Sequence, residues 1–296
     1  MKLYTFDNGD GVKRVGVELS GFPGLIRDVR DFGLPYRDMT DLISHITPLE
    51  KERISDPEAA LDGRPLRLSS VRVCSPIPHP EQDIICLGVN YAAHADESAQ
   101  FDRKAFLLDR KKATYFGKRA YQTSGPDDLI PSYPELVTSL DYEAELAVII
   151  GRDCKNVCER DAAACIFGYT VLNDVSARNL QTEHNQWYFG KSLDGFTPMG
   201  PCIVTEDEIP YPPALSISST VNGELRQNSN TNYLLHSISE IIAELSQGMT
   251  LLAGTIIATG TPAGVGMGFD PPKFLKSGDV VTCEIEKIGR LTNMVK

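Results

Sequence analysis

The sequence predicts an α+β fold that is mostly β, of rolled or barrel-like form, behind a small α/β module. Three observations carry this. Short β-favouring runs recur along the chain with Gly-containing turns between them. Helical spacing is clear in only two places. Three alternating prolines, Pro76, Pro78 and Pro80, read as an extended connector between a first stretch and the rest.

Residues 1–75 read as the small N-terminal module. Residues 2–6, 12–19 and 25–29 have strand character, and Met39, Leu42, Ile43 and Ile46 then fall at helical spacing. Residues 76–296 read as the main domain. Strands are predicted at 84–87, 146–150, 167–172, 215–221, 255–259 and 280–285, with turns at Asn222-Gly223 and Ser277-Gly278-Asp279. One helix is framed on both sides. Ser237 and Glu240 make a capping box, Ile238, Ile241, Ile242 and Leu245 make the stripe, and Gly248 stands where it ends.

Composition narrows the function. The chain has 296 residues and a net charge of -11, which argues against a nucleic-acid partner. No run approaches the ~18 apolar residues of a membrane span, and Met1 to Asp7 lacks the apolar core of a signal peptide. Seven cysteines without a pairing framework point to a reducing, cytoplasmic setting. Cys154 and Cys158 have no matching second pair, so they read as thiols rather than a zinc site.

The chemistry gathers around residues 141–151, DYEAELAVIIG. Alternation along a strand puts Ala144, Leu146, Val148 and Ile150 on one face, and the other face begins with Glu143 and Glu145. Two like charges this close, if buried, need a proton or a cation between them. Oxygen ligands suit Mg²⁺ or Mn²⁺ better than zinc. A solvated face with two surface glutamates is the other reading of the same spacing. Asp174 stands at a strand end and offers a third carboxylate. His94 and Glu97 are three apart, so on a helical turn they share a face and make an acid–base pair or a surface contact. Lys191 follows Gly190, where the backbone can approach a ligand. The loop at 259–266, TGTPAGVG, lacks the ending of a nucleotide P-loop and points instead to a small-anion site.

Taken in order, these stretches resemble the fumarylacetoacetate hydrolase family. The resemblance runs from Gly88-Val89-Asn90-Tyr91 with His94 and Glu97, through residues 141–146 and Asn173-Asp174-Val175-Ser176-Ala177-Arg178. It continues to Gln186-Trp187, Gly190-Lys191-Ser192, residues 222–227 and residues 260–266. It covers roughly residues 82–296, and residues 1–75 look like the variable N-terminal domain that some members carry. Two departures stand out: Asn179 where many members have Asp, and Gly117 before Lys118 where bulkier residues are common.

The resemblance implies a mixed β-roll catalytic domain, a homodimer, and Mg²⁺ or Mn²⁺ held by Glu143, Glu145 and Asp174. It implies that His94 and Glu97 sit on a lid that orders over the substrate, and that Lys191 is catalytic beside the metal. It adds Tyr91, Lys118, Arg178, Gln181, Gly260 and Thr261 as substrate contacts. The substrate class is a small 2-oxo dicarboxylate or its enol. A decarboxylase or C–C hydrolase, of oxaloacetate or acylpyruvate type, is the first expectation. A 2-hydroxyhepta-2,4-diene-1,7-dioate isomerase is the second, and a metal-bound binding protein without turnover is the rival from another class.

Overall fold

In the computed structural model, which describes residues 1–106, 111–184 and 186–296, every residue of the strand Ala144–Ile150 is buried. Ala144, Leu146, Val148 and Ile150 enter one apolar cluster, while Ala147 and Ile149 enter a second cluster on the opposite face. Burial on both faces explains why the run is almost unbroken in its apolar character. Each fully buried Leu, Ile or Val here contributes roughly 1.5–3 kcal/mol.

This strand lies inside an eleven-stranded sheet. Ile166–Asn173 and Ile256–Ala258 flank it, both antiparallel. The sheet continues past Ile256–Ala258 to Ile84–Gly88 and the edge strand Thr114–Lys118. On the other side come Met199–Thr205, Lys2–Asp7, Lys13–Glu18, Leu25–Asp28 and Leu66–Arg67, and Arg72–Cys74 also pairs with Lys2–Asp7. The two ends do not meet, so the rolled, mostly β α+β form expected from the sequence is present without closing into a barrel. Lys2 pairs with Val204 and Leu3 with Ile203, so the N-terminal strands extend the sheet from the edge of Met199–Thr205. The sheet is therefore continuous across residue 75.

A five-stranded sheet packs on one face, in the order Glu224–Asn230, Ser216–Val221, Val280–Ile285, Gly289–Val295 and Leu129–Ile130. Its Ile217, Val221, Val281 and Cys283 share the first cluster with Ile238, Ile241, Ile242 and Leu245 of the helix Ile238–Gly248. On the other face, Met39, Leu42 and Ile43 of the helix Met39–His45 and Ile54 of Pro48–Ser55 complete the second cluster.

The framed helix forms with its Ser237–Glu240 capping box and ends at Gly248. Asn222 and Gly223 both take positive φ, 51° and 80°, as a tight hairpin between Val221 and Glu224 requires. Strands at Thr114–Lys118, Met199–Thr205, Glu224–Asn230 and Gly289–Val295 were not signalled. Glu224–Asn230 (ELRQNSN) is an edge strand with little to bury, and Met199–Thr205 carries a Gly-Pro pair that reads as a turn. Among the described residues no helix is long and apolar enough to cross a membrane, and the seven cysteines are free.

Candidate active site

Glu143 and Glu145 leave the head of the central strand on the same side, and Asp174 follows the end of its neighbour. The Asp174 N–H donates to the Glu143 carbonyl at 2.9 Å, which locks the two strand ends together. One carboxylate oxygen from each of the three residues lies within 4.8 Å of the others, and all three residues are buried. This is the one group of three or more His, Cys, Asp or Glu so placed among the described residues.

Three cations surround it. Lys191 Nζ lies 2.8 Å from Glu143 Oε2 and 2.7 Å from Asp174 Oδ2. Arg178 Nη1 lies 2.7 Å from Glu143 Oε1 and donates to Gln181 Oε1 at 2.9 Å. Lys118 Nζ lies 2.8 Å from Asp174 Oδ1, an ion pair without the angle of a good hydrogen bond, and donates to the carbonyls of Val175 and Lys191. Burial alone would push Glu143 up, but Lys191 and Arg178 outweigh it and hold its carboxyl well below the usual range. Glu145 goes the other way. Burial, and then Asp174 and Glu143, push it well above the usual range, and the Gly260 N–H at 2.8 Å offsets only part.

The donor set fits a hard divalent cation. The candidate donors are all carboxylate oxygens, they are buried, and among the described residues no side-chain cation is paired with Glu145. With all four ionised, the carboxylates here, counting Asp141, outnumber the three cations by one, so the group favours a further positive charge.

His94 and Glu97 do share a helical face. They lie on the helix Ala92–Phe101, with His94 Nδ1 2.8 Å from Glu97 Oε1 and Ser98 Oγ 3.4 Å from His94 Nε2. Tyr91 caps that helix; it is buried, and its hydroxyl has no partner among the described residues. His94, Glu143, Glu145, Arg178, Gln181, Lys191 and Thr261 line one small cavity of about 10 Å³, room for about one water. Its opposite wall is apolar: Leu87, Phe106, Phe116 and Trp187. Tyr91, Glu97, Lys118, Gly260 and Asp174 stand behind the lining instead of in it.

The glycine-rich loop changes its meaning. The sequence points to a small-anion site there, but the loop's N–H groups are taken by the chain's own carboxylates. Gly260 donates to Glu145, Gly264 donates to Glu97 at 3.0 Å, and Gly266 and Met267 donate to Asp141 at 2.6 and 3.0 Å. The loop is thus the frame that holds Glu97, Asp141 and Glu145.

Three contributors carried no functional expectation. Asp141 also accepts from Arg178 Nε at 2.9 Å, so it ties the loop to the guanidinium. Gln227 is fully buried and bonds on all sides. Trp187 packs tilted against Phe106 and edge-to-face against Phe116, with ring centroids 5.5 and 5.3 Å away. A Cβ on Gly88 would fall 2.3 Å from its ring, so Gly88 makes its seat. The advance signal for all three was their place in the stretches that carry the resemblance, residues 141–146, Gln186-Trp187 and residues 222–227.

Comparison with known proteins follows from this geometry. The model of the fumarylacetoacetate hydrolase C-terminal domain matches residues 83–296. The chain is 46% identical over 228 residues to the oxaloacetate tautomerase YisK of Bacillus subtilis, which spans 77% of this chain and 74% of that protein. It is 39% identical over 301 aligned residues to a mitochondrial oxaloacetate tautomerase of Xenopus laevis, covering 100% of this chain and 90% of that one. A solved fumarylacetoacetate hydrolase from Exiguobacterium antarcticum matches with a TM-score of 0.82 at 39% identity, covering 100% of this chain and 99% of that one.

Proposed function

The chain belongs to the fumarylacetoacetate hydrolase family, and from that premise we propose that it moves a proton between the enol and keto forms of a small 2-oxo dicarboxylate of the oxaloacetate kind. The observation that carries this is the 2.8 Å His94–Glu97 pair, whose imidazole lines the same cavity as Glu143, Glu145, Arg178 and Lys191. Tautomerisation is not among the reactions expected from the sequence. It is the least demanding of them, because no carbon–carbon bond breaks and no water attacks.

Glu143, Glu145 and Asp174 would hold Mg²⁺ or Mn²⁺, which when bound supplies a Lewis acid for the substrate's oxygens. Glu97 accepts from His94 Nδ1–H and fixes the tautomer in which Nε2 is the basic nitrogen. That nitrogen takes the enol O–H proton while the oxygen's electrons form the carbonyl. The former C=C pair then takes the proton back at carbon. Arg178 keeps Nη2 without a partner among the described residues, and with Lys191 it offers positive charge to a dianionic substrate. The apolar lining of Phe106, Phe116 and Trp187 leaves room for about one water, which favours proton transfer over a hydrolysis that must seat both substrate and water.

The test is the ultraviolet absorbance of enol-oxaloacetate with and without Mg²⁺ or Mn²⁺, with pyruvate formation and acylpyruvate cleavage assayed in parallel. Faster enol decay without pyruvate supports the reading. Pyruvate release or acylpyruvate cleavage without faster tautomerisation restores the decarboxylase or hydrolase. Metal binding with no turnover on any of them favours the binding protein. The homodimer implied by the resemblance belongs to the same proposal, and sedimentation as a monomer at micromolar concentration would count against it.

A further inference from the structure

Ala144 joins the two glutamates, so whatever holds its backbone N–H and carbonyl bears on the spacing of their carboxylates. Its outward side has no strand beside it. The neighbour Ile256–Ala258 pairs only with Ala147, Val148 and Ile149. Beyond that point side chains replace the missing strand. The N–H and hydroxyl of Thr259 reach the Leu146 carbonyl at 3.0 and 2.9 Å, and the Thr261 hydroxyl donates to the Ala144 carbonyl at 2.9 Å. Gln227 Oε1 accepts the Ala144 N–H at 3.0 Å. The N–H and the carbonyl of Ala144, one in each of the two peptide groups that join the glutamates, are thus both held by side chains.

Gln227 is itself fixed. Its Oε1 also accepts from Ser219 Oγ at 2.8 Å, and its Nε2 donates to Thr261 Oγ1 and to the Pro262 carbonyl, each at 2.7 Å. Both acceptor positions and both hydrogens of the amide are used. Its orientation is unambiguous: Thr261 Oγ1 spends its proton on Ala144 and must accept from Gln227. Gln227 sits on Glu224–Asn230, an edge strand of the second sheet, and is fully buried. A single side chain therefore carries the position of one sheet into the carboxylate pair of the other.

We infer that Gln227 is a positioning residue that sets the separation of Glu143 and Glu145 and, through it, the affinity for a divalent cation. This rests on the reading of those carboxylates as a cation site. Misplacing ligands by removing an outer partner typically costs about 10–100-fold in metal affinity. Gln227→Met keeps the length of the side chain and removes all four bonds. Thr261→Val removes the hold on the carbonyl side.

The experiment measures Mn²⁺ binding to the full chain by electron paramagnetic resonance, together with amide exchange of residues 140–146 by mass spectrometry. Gln227→Met is expected to weaken Mn²⁺ by about 10–100-fold and to speed exchange at Ala144. The double variant with Thr261→Val should lose little more than the worse single, because both side chains hold Ala144 and bond each other. Ser219→Ala, which leaves the bonds to Ala144 in place, should change affinity by no more than about twofold. A Gln227→Met protein that melts lower yet binds Mn²⁺ as tightly as the parent overturns the inference. If that variant does not fold, Thr261→Val alone carries the same comparison, and unchanged Mn²⁺ affinity there overturns it. If the parent binds no Mn²⁺, the cation reading fails; exchange at Ala144 then decides alone, and unaltered exchange in Gln227→Met removes Gln227 from the role.

Discussion

Glu97 accepts from two directions: its Oε1 lies 2.8 Å from His94 Nδ1, and the Gly264 N–H reaches its Oε2 at 3.0 Å. The carboxylate that orients the imidazole is therefore also the one that pins the helix Ala92–Phe101 to the glycine-rich loop. If His94 moves the proton, His94→Ala should lower kcat by roughly 10²–10⁴-fold. Mn²⁺ affinity should stay at the parental value, because His94 is not among the carboxylates grouped for the cation. Loss of Mn²⁺ binding in this variant would place the imidazole among the ligands.

Gly268 tests whether that pinning matters. A Cβ there would lie 2.2 Å from Glu97 Oε2, so Gly268→Ala should push Glu97 off the Gly264 N–H. A displacement of this size near the reacting groups should lower kcat/KM by about 10²-fold. Amide exchange within residues 92–101 should quicken while the two sheets stay protected. Unchanged exchange with unchanged kcat/KM would show that Glu97 needs no fixed seat.

Glu145 predicts the response to pH. Its carboxyl is raised in the fold, by burial first and then by Asp174 and Glu143. A raised carboxyl leaves stability intact below its unfolded value and removes it as pH climbs toward the folded value. Glu143 is lowered, so its contribution is present above the usual range and is lost only toward acid. Glu145→Gln should therefore melt higher than the parent without cation, by roughly 2–8 °C near neutrality. The difference should shrink as pH falls to about 4. If Mg²⁺ is held by these carboxylates, the same variant should be stabilised by it less than the parent. A melting difference that is flat with pH would show that the Glu145 charge is already compensated.

Trp187 closes the apolar side of the cavity, seated where Gly88 has no Cβ. Trp187→Ala should lengthen the space open to substrate. The ratio of kcat/KM for an acylpyruvate over oxaloacetate should then rise about tenfold or more. An equal fall for both substrates would make Trp187 a support of the fold rather than a limit on length.

Local pattern was enough for much of this protein. Alternation through residues 144–150, the spacing of His94 and Glu97, and the Ser237–Glu240 box are set by neighbours within a few residues, and they formed as the sequence indicates. The same alternation placed Glu143 and Glu145 on one side, so two members of the carboxylate group were legible before any fold was known. Tertiary structure decided what each charge meets. Lys118 turned to Asp174 and two carbonyls, and the glycine-rich loop turned its N–H groups to Glu97, Asp141 and Glu145. Gln227 reached the Ala144 peptide from the other sheet, 83 residues away in the chain. The N-terminal strands joined the large sheet along the edge of Met199–Thr205. Periodicity reports which face of an element is buried. It carries no record of which distant donor or strand edge that face will meet, because such pairings exist only once the layers have packed.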